Sequence, residues 1–274
     1  MKYIPGTGYL FALLILSMIA IESCNRDGGV LPTSVKKWDA IELKSVNEVP
    51  APAGRTEEGE LNLELLSDNS LKFDFHVQNL RPGDALTAAH IHLSNAGESG
   101  PVIIDLKPSI SGSGGTGTVK GLRQGQIDTL LSQPVYFNIH STQVPAGIVR
   151  GQLDQKVDFA LDIVLSGNNE VPAVTTTASG VCILRMTEDK MLYSKVTVTN
   201  IETNDTIRVS HIHRGASGTN GPVRIFLASS IADFGILKTT ALPDSLYNMI
   251  KNDPIYVNAH SKLRGSGLVR GQIR

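Results

Sequence analysis

Tyr136-Phe137-Asn138-Ile139-His140-Ser141 recurs 120 residues later in the chain as Tyr256-Val257-Asn258-Ala259-His260-Ser261. Four further blocks recur in the same order at offsets of 120 to 122 residues. A repeat of this length holds a whole domain, because the units of solenoid proteins span only about 20 to 50 residues. The sequence therefore predicts two tandem copies of one domain, at 37–154 and 155–274. The other repeated blocks are Asn47–Ala51 with Asn169–Ala173, His90–His92 with His211–His213, Gly100–Val102 with Gly221–Val223, and Val149–Leu153 with Val269–Ile273.

Strand-like alternation defines the fold class of each copy. Leu71–Val77 alternates apolar and polar side chains, which is the period of a β-strand with one buried face. Clusters of Gly, Asn, Asp, Ser and Pro separate such segments and mark turns. Short helical turns are predicted only at 127–131 and 244–250. The pattern predicts an all-β protein with two tandem antiparallel β-sandwich or barrel domains.

Composition argues against nucleic acid as a partner, and a disulfide framework is not expected because lipid attachment at Cys24, predicted below, leaves Cys182 alone. The net charge is −1 and no basic run occurs, so nucleic acid is not an expected partner. Only two cysteines are present, Cys24 and Cys182. Cys182 lies in an apolar strand segment and is predicted to be a small buried hydrophobe.

The first 36 residues are predicted to contain an export signal followed by a tether. Tyr9–Ile21 is a run of 13 mostly apolar residues, too short for a membrane-spanning helix of about 20 residues, and it follows a basic Lys2 as in a signal peptide. The run ends at Ile21-Glu22-Ser23-Cys24, which resembles the bacterial lipobox. This resemblance implies a signal peptide over 1–23, lipid attachment at Cys24 and a tether over 24–36. The protein is therefore predicted to be held at the outer membrane by its lipid anchor. Its predicted partner is an unidentified ligand of the envelope or the extracellular space.

The repeated blocks also predict one polar cluster in each domain. In a strand, residues i and i+2 share a face, so His90 and His92 lie together, opposite the apolar Ile91. The same period separates the polar residues of the two later strands from their apolar neighbours. If these strands are adjacent, their polar faces form a single cluster. Its predicted members are His90, His92, Tyr136, Asn138, His140, Arg150 and Gln152 in the first domain, and His211, His213, Tyr256, Asn258, His260, Arg270 and Gln272 in the second.

Two interpretations of this cluster remain open at the level of sequence. Imidazole is a favoured ligand of zinc and copper, and three histidines would make a three-nitrogen site with an open position. Alternatively, the cluster is a hydrogen-bonded scaffold that holds strand register, which the repeated arginines favour because a guanidinium repels a cation. Glu48 and Glu170 are predicted to form structural ion pairs with Arg150 and Arg270 rather than to act as catalytic carboxylates.

The order of the motifs His-Ile-His, Gly-Pro-Val, Tyr-x-Asn-x-His-Ser and Val-Arg-Gly-Gln resembles the CHRD domain, first described in chordin and found in many exported bacterial proteins. The resemblance implies a β-barrel or immunoglobulin-like sandwich and assigns no activity. The motifs stand at 90–92, 100–102, 136–141 and 149–152, and again at 211–213, 221–223, 256–261 and 269–272.

The histidine pattern is also similar to that of copper,zinc superoxide dismutase, another β-barrel. That similarity implies His90, His92 and His140 as copper ligands and Arg150 as a group that attracts an anion, with the same roles for their counterparts in the second domain. A run of His and Asp for a zinc subsite has no counterpart between Gly100 and Tyr136.

Two functions follow from these patterns. The first is a non-enzymatic binding or structural module on a lipid anchor, since the sequence offers no nucleophile–base pair and two copies on one anchor raise avidity. The alternative is a copper- or zinc-binding protein, with redox activity as one outcome, that uses the three histidines of each domain. No catalytic residue is assigned.

Overall fold

A computed structural model describes residues 31–274. The predicted signal peptide and Cys24 lie outside the described residues, so export and lipidation stay predictions. The first strand begins at Ser34, and residues 34–36 therefore belong to the sheet rather than to the predicted tether. Within residues 31–274, no helix is both long and apolar enough to cross a membrane.

The first sheet contains nine strands, and each hydrogen-bonded pair of neighbours is antiparallel. Their order across the sheet is β5-β4-β8-β9-β1-β2-β3-β7-β6. A helix, α1 (Gln124–Ser132), precedes β8. The strands are β1 (Ser34–Lys44), β2 (Glu58–Leu66), β3 (Leu71–Gln78), β4 (Leu86–Leu93), β5 (Val102–Asp105), β6 (Ser109–Ser111), β7 (Gly114–Val119), β8 (Val135–Ser141) and β9 (Val149–Gln152).

The second sheet contains eight strands in the order β14-β13-β16-β17-β10-β11-β12-β15, again antiparallel throughout. Helix α2 (Asp244–Asn252) precedes β16. Short 3-10 turns occupy Ser45–Asn47, Gly167–Asn169 and Ile231–Asp233. The strands are β10 (Val157–Ser166), β11 (Ser179–Thr187), β12 (Met191–Thr199), β13 (Ile207–Arg214), β14 (Val223–Ala228), β15 (Lys238–Ala241), β16 (Ile255–Ser261) and β17 (Val269–Gln272).

The two sheets repeat one topology, which confirms the prediction of two tandem antiparallel β domains. The order β4-β8-β9-β1-β2-β3 in the first corresponds strand for strand to β13-β16-β17-β10-β11-β12 in the second. The first sheet curls into a half-barrel and the second into a nearly closed barrel. Both helical turns are found where they were predicted.

Each sheet encloses its own apolar core. The alternation along β3 is strict: Leu71, Phe73, Phe75 and Val77 are buried and the residues between them are exposed. Each such fully buried side chain stabilises the fold by about 1.5–3 kcal/mol relative to an exposed one. Cys182 is fully buried in the second core, as predicted.

A buried arginine connects the two domains. Arg185 on β11 is fully buried and donates hydrogen bonds to Asp162 Oδ1 at 2.7 Å and, across the junction, to the backbone oxygen of Glu48. Asp162 Oδ2 in turn accepts the backbone N–H of Ala51 at 2.9 Å. The second domain thereby holds the segment of the first domain that carries Glu48.

Candidate functional site

Three neighbouring strands bring the predicted cluster together in each domain. In the first domain β8 lies between β4 and β9, with His92 opposite Tyr136, and Asn138 opposite both His90 and Arg150. Strands β13, β16 and β17 repeat this register in the second domain. The strand period decided which side chains share a face, and the sheet order supplies the adjacency that sequence alone left open.

The three histidines of the first domain meet at their ring nitrogens. His90 Nδ1 lies 2.8 Å from His140 Nε2, and one nitrogen from each ring, including that of His92, lies within 4.8 Å of the others. His92 Nδ1 is 2.8 Å from the backbone oxygen of Gly100, and His140 Nδ1 is 2.8 Å from that of Pro145.

The second domain reproduces this arrangement. His211 Nδ1 lies 3.2 Å from His260 Nε2. His213 Nδ1 is 2.9 Å from the oxygen of Gly221, and His260 Nδ1 is 3.0 Å from that of Gly265. Since the same contacts recur in both copies, they are a feature of the domain fold and not of the packing in one copy.

The carbonyl contacts determine the tautomer of two rings in each cluster. A backbone oxygen only accepts hydrogen bonds, so the proton of a neutral ring must sit on the Nδ1 that faces it. The Nε2 of His92 and of His140 then carries a free lone pair. His140 Nε2 accepts from His90, whereas His92 Nε2 is buried and has no hydrogen-bond partner within residues 31–274. His213 Nε2 is in the same state.

The environment favours neutral, metal-competent rings at neutral pH. Burial lowers the pKa of His90 and His92, and the neighbouring histidines lower both further. In the second domain burial lowers the pKa of His211 to about 4, with contributions from His260 and His213. A histidine that is already deprotonated at pH 7 binds a metal ion without releasing a proton first.

A stack of aromatic and cationic side chains supports one histidine of each cluster. The His92 ring stacks on Tyr136 with centroids 4.8 Å apart, and the guanidinium of Arg150 lies 3.4 Å from the centre of the same tyrosine ring. Arg150 also donates to the oxygen of Asn95 at 2.6 Å, and Gln152 donates to that of Ser94 at 3.1 Å. Arg150 and Gln152 therefore hold the loop that covers the cluster.

Gly100 is the point where that loop attaches to the cluster. Its N–H donates to the hydroxyl of Tyr136 at 3.2 Å, and its oxygen accepts from His92. A Cβ at this position would lie 1.8 Å from the backbone oxygen of Leu93. The sequence identified Gly100 only as the first residue of a repeated block. The structure shows that it also orients a histidine.

Asp84 and Asp205 support the other loop and were missed from the sequence. Asp84 accepts hydrogen bonds from Ser141 Oγ at 2.8 Å and from the N–H of Gln143 at 3.0 Å. Burial opposes its ionisation, yet these bonds hold its pKa well below the usual range. The loop it anchors carries Pro145, the partner of His140. Asp84 and Asp205 are 121 residues apart, so the repeat offset was the signal that could have found them.

Glu48 and Glu170 depart from the predicted ion pairs. Within residues 31–274, neither carboxylate lies within salt-bridge distance of Arg150 or Arg270. Glu48 packs instead against Gly147, whose absent Cβ would lie 2.5 Å from Glu48 Oε1 and 2.8 Å from Asn138 Nδ2. Burial raises the pKa of Glu48 to about 7, and the opposing effects of Arg150 and of the Asn138 side chain do not overcome this desolvation. Burial raises the pKa of Glu170 to about 7 in the same way.

This shift predicts a pH-dependent stability. The folded protein binds the Glu48 proton more tightly than the unfolded chain does, so the free energy of unfolding falls as the pH rises from about 4.5 to about 7, by about 3 kcal/mol for this group. Glu48→Gln keeps the shape of the neutral carboxyl. It is expected to raise the free energy of unfolding at pH 8 by up to that amount and to leave it unchanged at pH 4.

Urea denaturation at the two pH values measures this effect. Glu58→Gln, at an exposed position of β2, removes the same charge and is the control. If Glu48→Gln raises the free energy of unfolding equally at both pH values, the Glu48 carboxyl does not take up a proton on folding.

Comparison with protein families agrees with the repeat. A family model described as the CHRD domain matches residues 40–153 and again residues 161–273. The chain belongs to the CHRD domain family and contains two tandem copies of the domain. No curated protein and no solved structure matched the chain.

Proposed function

We propose that each CHRD domain of this protein binds one zinc or copper ion through its three histidines, and that the chain acts as a non-enzymatic metal-binding module of the cell envelope. The observation that carries the proposal is the pair of carbonyl-anchored rings in each domain. Histidine ligands of metals commonly donate their outer N–H to a carboxylate or a backbone oxygen, which turns the other nitrogen toward the metal. His92 and His140 have this arrangement, and so do His213 and His260.

The spacing of the nitrogens supports the same conclusion. Zinc–nitrogen bonds of about 2.0–2.1 Å in tetrahedral geometry place ligand nitrogens about 3.4 Å apart. That separation lies between the 2.8 Å of the His90–His140 pair and the 4.8 Å limit for the whole set. To hold an ion, the close pair would open by about 0.6 Å and the widest separation would shorten by up to about 1.4 Å, changes that small rotations of the side chains supply.

The unpartnered nitrogens argue against a purely structural cluster. A buried polar atom without a hydrogen bond costs about 1–3 kcal/mol. The Asn138 and Asn258 side chains lie beside the two histidine rings that carry these nitrogens, but their oxygens cannot donate to the lone pair of a neutral Nε2. His92 Nε2 and His213 Nε2 therefore stay unsatisfied in the described part of both copies. A bound metal ion removes this cost.

The donor set indicates which ions fit. Three imidazole nitrogens suit zinc and copper better than magnesium or calcium, which prefer oxygen ligands. Three protein ligands leave a fourth position for water or an exogenous ligand. If the predicted export and lipid anchor at Cys24 are correct, both sites would face the cell envelope.

Elemental analysis tests the proposal. Residues 25–274, which contain both complete sheets, are purified without a metal-binding tag, incubated with zinc or copper, and freed of excess metal. We expect about two equivalents of metal per chain, about one in His92→Ala or His213→Ala, and none in the double variant.

His76→Ala is the matched control, since His76 lies at an exposed position of β3 outside the cluster. It is expected to retain both equivalents. If the metal content of the parent protein does not exceed background while its circular dichroism still shows intact β-sheet, the proposal is contradicted. The cluster would then be a scaffold of an envelope-binding module.

A further inference from the structure

The two histidine clusters differ in the residue that faces the first histidine of each. His90 on β4 is paired with Asp105 on β5, whereas His211 on β13 is paired with Phe226 on β14. His90 Nε2 lies 3.8 Å from Asp105 Oδ1, just beyond hydrogen-bond distance, and the half-exposed Asp105 side chain also accepts the backbone N–H of Lys107 at 3.2 Å. In the second domain the Phe226 ring meets the His211 ring edge-on, with centroids 4.6 Å apart.

We infer that this difference makes the two metal sites unequal, with the first domain holding the high-affinity site and Asp105 acting as its positioning residue. The inference rests on the proposed function and adds the relation between the two sites. It places most of the bound metal in the first domain whenever the ion is scarce.

The tautomer of His90 gives the physical reason. His90 Nδ1 faces His140 Nε2, so Nδ1 is the nitrogen that meets the ion and must give up its proton. The proton of the neutral ring then sits on Nε2, the atom that faces the Asp105 carboxylate. The inference includes a shift of about 1 Å in the exposed Asp105 side chain that lets its carboxylate accept this N–H when the ion binds. A carboxylate that accepts the outer N–H of a ligating histidine fixes the ring and raises its basicity, and losing such a partner commonly weakens metal binding about 10- to 100-fold.

The second domain has no such acceptor at the equivalent position. Phe226 presents an aromatic ring, which offers no lone pair to the N–H of His211. The ring also covers this histidine, which is only 8% exposed although Phe226 itself is 60% exposed. The other two histidines face backbone oxygens at equivalent positions in both copies. The two domains therefore form a matched comparison in which the residue facing the first histidine is the clearest difference.

Zinc titrations at pH 7.5, with a competing chelator, measure each site separately. His213→Ala leaves only the first site and His92→Ala only the second. We expect the dissociation constant of the first site to be about 10- to 100-fold lower than that of the second. Asp105→Asn in the His213→Ala background should bring the first site to the level of the second, and Asp105→Glu should restore part of the affinity.

The reverse substitution separates positioning from folding. Phe226→Asp in the His92→Ala background is expected to tighten zinc binding at the second site, a gain that repair of a merely structural defect would not produce. Asp39→Asn, at an exposed position of β1, removes one charge away from β4 and β5 and should leave both constants unchanged. Melting temperatures in excess chelator check that every variant is folded.

The possible outcomes are distinct. Zinc binding at both sites with equal constants, unmoved by Asp105→Asn and Phe226→Asp, would overturn the inference while leaving the proposed function intact. No zinc binding at either site would overturn the proposed function itself.

Discussion

Gly100→Ala is expected to lower the free energy of unfolding of the first domain by about 3 kcal/mol or more, among the larger effects of a single substitution. The new Cβ would lie 1.8 Å from the backbone oxygen of Leu93, where real contacts stay above 3.0 Å. A backbone atom cannot rotate away as a side chain can. The loop must therefore shift, which breaks the hydrogen bonds from Gly100 to Tyr136 and from His92 to Gly100.

Trp38 makes this change measurable in the first domain alone. It is the single tryptophan of the chain and is buried in the first core, so its fluorescence during urea denaturation follows that domain. Gly125→Ala is the control: this glycine lies in α1 with nothing near its Cβ position, and alanine there should be neutral or slightly stabilising. A midpoint for Gly100→Ala equal to that of the control would show that the loop absorbs the methyl group freely.

Arg185→Met is expected to lower the free energy of unfolding of the second domain by about 3 kcal/mol, the lower end of the range for breaking a buried ion pair, because Arg185 is fully buried but the Asp162 side chain is 20% exposed. The substitution keeps much of the side-chain volume and removes every donor. It removes the Arg185 donors from Asp162 Oδ1 and from the oxygens of Leu161, Leu184 and Glu48, whereas Asp162 Oδ2 keeps its bond from Ala51.

The location of Arg185 makes the two domains respond differently. Arg185 is buried within the second domain, whereas the first domain loses only the hydrogen bond from Arg185 to Glu48. The transition followed by circular dichroism should therefore shift to lower urea by more than the Trp38 transition. Arg208→Met, at an exposed position of β13, is the control. Indistinguishable curves for the two variants would show that the buried ion pair is not stabilising.

Local patterns were enough to predict the strands and the membership of the cluster. The alternation of Leu71–Val77 predicted β3, and the His-x-His spacing put His90 and His92 on one face, because side chains alternate along any extended strand. Repetition of whole blocks predicted two domains with one topology. These inferences depend only on neighbours along the chain or on comparison of the chain with itself.

The chemistry of the cluster depended on contacts between distant segments. The pKa of Glu48 follows from burial beside Gly147 and not from the arginine with which it was expected to pair. Likewise, the role of Gly100 follows from its contacts with His92 and Tyr136. Neither desolvation nor a hydrogen bond across a loop leaves a periodic trace in the sequence.

By itself, the sequence determined the duplication, the β-strands and the residues that each strand turns to its polar face, since all three are properties of local backbone geometry and of a repeat. Only the tertiary structure decided that β4, β8 and β9 are neighbours, that carbonyl groups set the tautomers of His92 and His140, and that Asp105 faces His90 where Phe226 faces His211. Strand order and loop closure bring together residues that are far apart in the chain, and hydrogen bonding, burial and tautomer are properties of that assembled environment.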